Sequence, residues 1–155
     1  MSTNAAPVYG KQYIRYSETW EAPTNNQGGD VGVVEIGELR AVSYATWAGA
    51  NYAAAGDAFT AAPTTIVGVN QAYMPTALAQ PYTARQLTVA TSGLLLIEIA
   101  PGSATITLNS ALRVNLLGQA VGGSAGTAVT NDGTVPTTRE VISIGGRNLV
   151  LVSFS

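Results

Sequence analysis

The residue types that most often carry out catalysis are missing from this chain. Histidine and cysteine are both absent from its 155 residues. Their absence removes the commonest general base, the thiolate nucleophile and the usual zinc ligands. It also excludes disulfide bonds. An enzyme built from this chain would therefore have to rely on its carboxylates.

One short motif matches the nucleophile elbow of hydrolases. Residues 122–126 read G-G-S-A-G, which fits G-x-S-x-G with Ser124 in the nucleophile position. That elbow requires a strand-to-helix turn and a downstream histidine. No helical pattern follows the motif, and the chain has no histidine. We therefore expect residues 122–126 to form a flexible surface loop without a catalytic role.

Paired carboxylates are the remaining route to catalysis, because a glycosidase needs only two acids across a cleft. Glu98 is unusual in interrupting an apolar run, and we expect it to face solvent or to bond an arginine. No calcium-binding loop pattern occurs. We predict a protein that is not an enzyme and has no metal site and no cofactor. The acids that we considered lie in predicted turns and strand edges, and the sequence pairs no two of them: Glu35, Glu38, Asp57, Glu98, Asp132 and Glu140.

Charged side chains are scarce. They make up 10% of the residues, against roughly 25% in an ordinary soluble domain, and the formal net charge is −2. The seven basic residues form no stripe, which argues against nucleic acid or an anionic membrane as a partner. Low charge also reduces repulsion between surfaces, so we expect an oligomer or a larger assembly. The apolar run at residues 94–97 is too short for a membrane helix, and residues 1–7 lack a signal-peptide pattern, so we expect a soluble protein.

The elements that would position a site are predicted to be an arm and one β domain. Residues 1–30 contain Pro7, Pro23 and a Gly-Gly-Asp end, which is typical of an extended arm, and residues 31–155 follow as a single domain. Two interpretations of the arm are open: a first strand of the chain's own domain, or a contact with a neighbouring subunit. The arm carries large side chains of the kind that anchor interfaces: Tyr9, Tyr13, Ile14, Tyr16 and Trp20.

The domain is predicted to consist of short strands separated by turns. Residues 48–62 and 74–81 are expected to be irregular, the first with room for one helical turn. Two hairpins are indicated, one turning at Ser92-Gly93 and one at Gly145-Gly146. The pattern predicts an all-β fold, either a small antiparallel β-barrel or a β-sandwich. Strands outside the hairpins are expected at residues 31–36, 39–47, 64–72, 105–108 and 112–121.

Between residues 50 and 155 the order of segments resembles the structural cement and capsid decoration proteins of bacteriophages. The arm and the 74–81 connection depart from the compact members of that family. The segments that carry the resemblance are residues 54–59 (A-A-G-D-A-F), 66–69 (I-V-G-V), 87–97, 106–107, 112–114, 119–122 and 150–152 (V-L-V).

The resemblance implies a virion structural protein on the outer surface of an icosahedral shell. Its partner would be the major capsid protein, and it would be a homo-oligomer, with a trimer favoured. Its function would be to stabilise the shell against genome pressure, with the arm aromatics as anchors. The alternative is a carbohydrate-binding or tail-fibre-type receptor-binding domain. That function would need aromatic side chains on one open face, drawn from Trp47, Tyr52, Tyr73 or Tyr82.

Overall fold

The computed structural model describes residues 11–21, 38–45, 49–52, 64–71 and 86–155. These residues form β-strands joined by turns and contain no helix, which confirms the all-β prediction. All pairings between the strands are antiparallel. The strands are β1 (Tyr13–Glu21), β2 (Ala41–Ala45), β3 (Gly49–Tyr52), β4 (Gly68–Asn70), β5 (Gln86–Glu98), β6 (Arg113–Val114), β7 (Thr127–Ala128), β8 (Thr137–Ile144) and β9 (Arg147–Phe154).

Seven of these strands form one sheet. Its hydrogen-bonded path runs β3-β2-β4-β5-β9-β8, and β1 joins it by pairing with β5. The strands β6 and β7 form a separate two-stranded sheet. Because the path ends at β3 and at β8, the described strands do not close into a barrel.

The long strand β5 is the centre of the sheet. Ala90 lies opposite both Ser17 of β1 and Val69 of β4, and Gly93 lies opposite both β1 and Phe154 of β9. A strand residue has only two edges for pairing. Therefore β1 occupies one edge of β5, while β4 and β9 follow each other along the opposite edge.

The core surrounds the carboxyl half of β5 and its partner β9. Both strands are continuous apolar runs in this region, as expected for strands that are covered on both faces. Irregular segments cover them with Leu39, Ile66, Ile106, Leu112 and Val129, all buried. The fully buried residues of β9 and of the carboxyl half of β5 are Leu95, Leu96, Ile97, Leu149, Val150 and Val152.

The predicted hairpin at Ser92-Gly93 is wrong. Both residues lie inside the single 13-residue strand β5. Gly93 has φ +122°, and a Cβ atom there would lie 2.0 Å from the carbonyl oxygen of Tyr13 and 2.9 Å from the backbone nitrogen of Arg15. The glycine is therefore required by the close approach of β1 rather than by a turn.

The second predicted hairpin is confirmed. Strands β8 and β9 meet at Gly145-Gly146, where both residues have positive φ, as a two-residue type I′ turn requires. Another turn lies at Asn131-Asp132-Gly133, with Asp132 at φ 50° and Gly133 at φ 81°.

Other strand predictions are corrected. The region 48–62, predicted to be irregular, contains β3, which is held by pairing with β2. Residues 105–108 form no strand, and the strand predicted over 112–121 is reduced to the two residues of β6. The predictions for 39–47 and 64–72 are met in part by β2 and β4. Residues 31–36 and 74–81 lie outside the described residues.

Replacing Gly93 should loosen the attachment of β1. We expect Gly93→Ala to lower the free energy of unfolding by about 3 kcal/mol, because the methyl group meets backbone atoms that no rotamer change can move. Urea unfolding would measure this loss. The matched control is Gly102→Ala, which also has positive φ but no atom within 4 Å of its Cβ position. It should cost about 1 to 2 kcal/mol. Equal losses would contradict the close-approach explanation.

Candidate binding surface

Four of the five predicted arm anchors lie on β1, and the side chains of three of them are described. Tyr13, Ile14 and Tyr16 belong to this strand, whose backbone pairs with β5 of the same chain. Their side chains remain exposed, at 61% for Tyr13 and 65% for Tyr16. Tyr9 and the side chain of Trp20 lie outside the described residues. The first interpretation of the arm, a strand of the chain's own domain, therefore holds for the backbone of residues 13–21. The sheet nevertheless leaves the side chains of Tyr13, Ile14 and Tyr16 uncovered. The division into an arm and a body stays a prediction.

The strand β1 is exposed on both faces. Every side chain from Tyr13 to Thr19 is exposed, whereas a strand of a folded sheet normally buries at least one face against the core. A tyrosine offers about 150 to 250 Å² of surface that can be buried. The strand therefore presents a large amphipathic surface on a backbone that the sheet holds in place. We call Tyr13, Ile14 and Tyr16 together the β1 surface.

Gln12 fixes the start of β1, and sequence reasoning missed it. Its side-chain oxygen accepts a hydrogen bond of 2.8 Å from the backbone N–H of Leu96, where a strand neighbour would otherwise bond. Its amide group donates to Oε1 of Gln71 at 3.0 Å, and Gln71 donates to the carbonyl of Val69. This chain of bonds connects β1 to β5 and to the end of β4. An isolated glutamine carries no sequence signal for such a role.

A bulge redirects side chains in the middle of β1. The register with β5 shifts between Ile14 and Tyr16 and again between Tyr16 and Ser17. Consecutive residues of a regular strand point to opposite faces, yet Arg15 and Tyr16 line the same depression in the surface. Bulges often aim side chains in this way next to functional sites.

That depression is a groove of about 620 Å³, which we call the β1 groove. Its floor contains Thr91 and Ser92, at the place where β5 exchanges β4 for β9 as its partner. Strands β4 and β9 pair with the same edge of β5, one after the other. The gap between them leaves the groove open. Arg15, Tyr16 and Glu18 form the side given by β1, and residues 65–67 and the turn at 131–134 contribute to the opposite side.

Glu98 lies in a network of charged side chains. Its Oε1 accepts hydrogen bonds of 3.1 Å from Nε of Arg40 and from Nε2 of Gln119. Its Oε2 lies 3.8 Å from Nη2 of Arg147, which also pairs with Glu38. The side chains of Arg40 and Glu98 are only 13% and 24% exposed. Glu98 therefore bonds arginine, which was one of the two roles expected for it, and together with Glu38 it balances the charges of Arg40 and Arg147 at the edge of the core.

Removing the charge of Glu98 should destabilise the fold. We expect Glu98→Gln to lower the free energy of unfolding by about 1 to 3 kcal/mol, because the buried guanidinium of Arg40 loses its charged acceptor. The control is Glu140→Gln, which breaks the exposed pair with Lys11 and should cost less than about 1 kcal/mol. Chemical denaturation of both variants would measure the difference. A smaller loss for Glu98→Gln than for Glu140→Gln would contradict the role of the network.

The G-x-S-x-G segment is a loop, as expected, but Arg113 holds it in place. The guanidinium group donates to the backbone carbonyls of Ser124, Ala125 and Gly126. The loop leads into strand β7 and not into a helix. Gly122 packs so closely on the backbone of residues 104 and 105 that a Cβ atom would lie 2.3 Å from a carbonyl oxygen. The segment is therefore a loop, as expected, but its hydrogen bonds to Arg113 hold it in place, contrary to the expected flexibility.

Other kinds of site were sought in the same ranges of the chain. Within residues 11–21, 38–45, 49–52, 64–71 and 86–155, no group of three or more acidic side chains could hold a metal ion. The same ranges contain no helix with the length and apolar character needed to cross a membrane. The aromatic platform of the carbohydrate-binding alternative lies outside the described side chains, so that alternative stays a prediction.

The chain was also compared with known proteins. No protein-family model matches it, and no match is found among the curated proteins or the solved structures.

Proposed function

We propose that this chain is a capsid decoration or cement protein that binds the outer surface of an icosahedral shell and stabilises it. The observation that supports this most is the β1 surface, where Tyr13, Ile14 and Tyr16 are exposed on a strand held in the sheet. On this proposal, the major capsid protein covers that surface, and neither nucleic acid nor a membrane is a partner.

The geometry of β1 suits a protein–protein contact. Tyrosine has few rotatable bonds, so fixing its side chain on binding costs little entropy for the area that it buries. The backbone of β1 is already ordered by β5 and by the Gln12 bonds, which lowers the cost of association further. Exposed tyrosines of this kind are typical anchors of interfaces.

The composition supports a permanent assembly. With only 10% charged residues, most of the surface consists of small polar and apolar side chains that are cheaper to dehydrate than ions. The resemblance of residues 50–155 to phage decoration proteins gives the specific form of the proposal, including a trimer at symmetry points of the shell.

The first test is binding to the shell. Expanded capsids of the encoding virus, stripped of this protein, would be mixed with the Tyr13→Ser/Tyr16→Ser double variant and sedimented. We expect the dissociation constant to rise at least tenfold, equivalent to about 1.4 kcal/mol, because the two main anchors are lost. The matched control is Val135→Ser/Val141→Ser, two exposed apolar residues outside β1, which should bind normally. Unchanged binding of the tyrosine variant would contradict the assignment of the β1 surface.

The second test is the oligomeric state. Light scattering of the purified protein should give a mass three times the 15.9 kDa of one chain, because a trimer matches a threefold site on an icosahedral lattice. A strictly monomeric protein would contradict the trimer and would favour the carbohydrate-binding alternative.

A further inference from the structure

We propose that the β1 groove of the unassembled protein binds a short neutral saccharide, which would compete for Tyr16 with the shell contact proposed above. The groove brings together the exposed ring of Tyr16, the guanidinium of Arg15 and the carboxylates of Glu18 and Asp132. Its volume of about 620 Å³ lies within the range of small-molecule sites.

The lining matches the two kinds of surface that a sugar ring presents. One face of a pyranose ring consists of C–H groups, and Tyr16 offers a flat apolar ring that is 65% exposed for that face. The rim of the sugar consists of hydroxyl groups, each a donor and an acceptor. Carboxylates accept from such hydroxyls, and a guanidinium donates to them. The hydroxyl of Thr65 in the same groove can do both, whereas those of Thr91 and Thr134 already donate to the backbone carbonyls of Tyr16 and Asn131 and can only accept.

Two of the charged groups have no competing bond. Within the described residues, neither Arg15 nor Asp132 has a hydrogen-bonding or ionic partner. Each can therefore bond a ligand without first breaking an internal contact. Arg15 reaches the groove because of the bulge in β1, which puts it on the same side as Tyr16.

The turn that carries Asp132 is held firmly against the groove. Asn131 and Thr134 exchange backbone hydrogen bonds of 2.7 and 2.9 Å. The side-chain amide of Asn131 donates to the carbonyl of Val67 at 2.9 Å, across the groove wall. Asp132 itself has φ 50°, a conformation that aspartate tolerates better than most residues. The backbone that carries the carboxylate is thus held in a fixed place, which favours binding of a small ligand.

The charges in the groove decide between classes of saccharide. Arg15 and Asp132 contribute one positive and one negative charge, whereas Glu18 already has an interaction within the protein. An acidic sugar or a phosphate group therefore finds no net positive charge to pair with. A neutral saccharide can use both Arg15 and Asp132 as hydrogen-bonding partners.

The test is saturation-transfer NMR on the full chain with maltose, cellobiose and lactose as neutral probes and 3′-sialyllactose as the acidic one. We expect at least one neutral disaccharide to bind and to be displaced by an excess of itself. Tyr16→Ser and Asp132→Gly should each weaken that binding about tenfold or more. Tyr16→Phe, which keeps the ring, should retain it.

The controls separate the groove from the rest of β1. Tyr13→Ser changes an equally exposed tyrosine on the same strand that does not line the groove, so it should bind sugar normally. Asp132→Gly should leave shell binding unchanged, and glycine adopts the positive φ of this position without strain. Three results would each overturn the proposal: no binding of any neutral probe, binding of the sialylated probe alone, or equal losses for Tyr13→Ser and Tyr16→Ser.

Discussion

The architecture depends on how β5 distributes its two edges. One edge holds β1, and the other is used first by β4 and then by β9. Gly93 makes this arrangement possible, because it lies where β1 and β9 face each other across β5 and leaves room for the Tyr13 carbonyl. The core forms around the half of β5 that pairs with β9, while β1 is attached to the half that pairs with β4.

The two surfaces described above follow from that division. The backbone of β1 pairs with β5, whereas its side chains from Tyr13 to Thr19 are exposed and take no part in packing the core. The bulge in β1 and the separation of β4 from β9 at Ser92 then produce the groove. A contact surface and a binding groove can therefore share one strand, and Tyr16 is the residue that belongs to both.

The sequence predicted features that depend on neighbouring residues in the chain. The Gly145-Gly146 turn is such a case, because both arms of the hairpin and the positive φ values are local. Ser92-Gly93 has the same local signal but another cause, the approach of β1 from a distant part of the chain. Bonding to an arginine was one of the two roles that the sequence led us to expect for Glu98. The identity of Arg40, the role of Gln12 and the shape of the groove depend on long-range pairing that a single sequence does not reveal.

The pairing of β5 with β9 has a consequence for folding. Residues 147–154 complete the central sheet, so on a ribosome the apolar segment 94–97 is made long before its main cover exists. A sheet dominated by such distant contacts closes late and folds slowly. During that interval β5 is an uncovered apolar strand, the kind of element that associates with other chains. Early pairing of β1 with β5 would occupy one edge of β5. That edge could then not pair with other chains, which would reduce aggregation while the rest of the chain is synthesised.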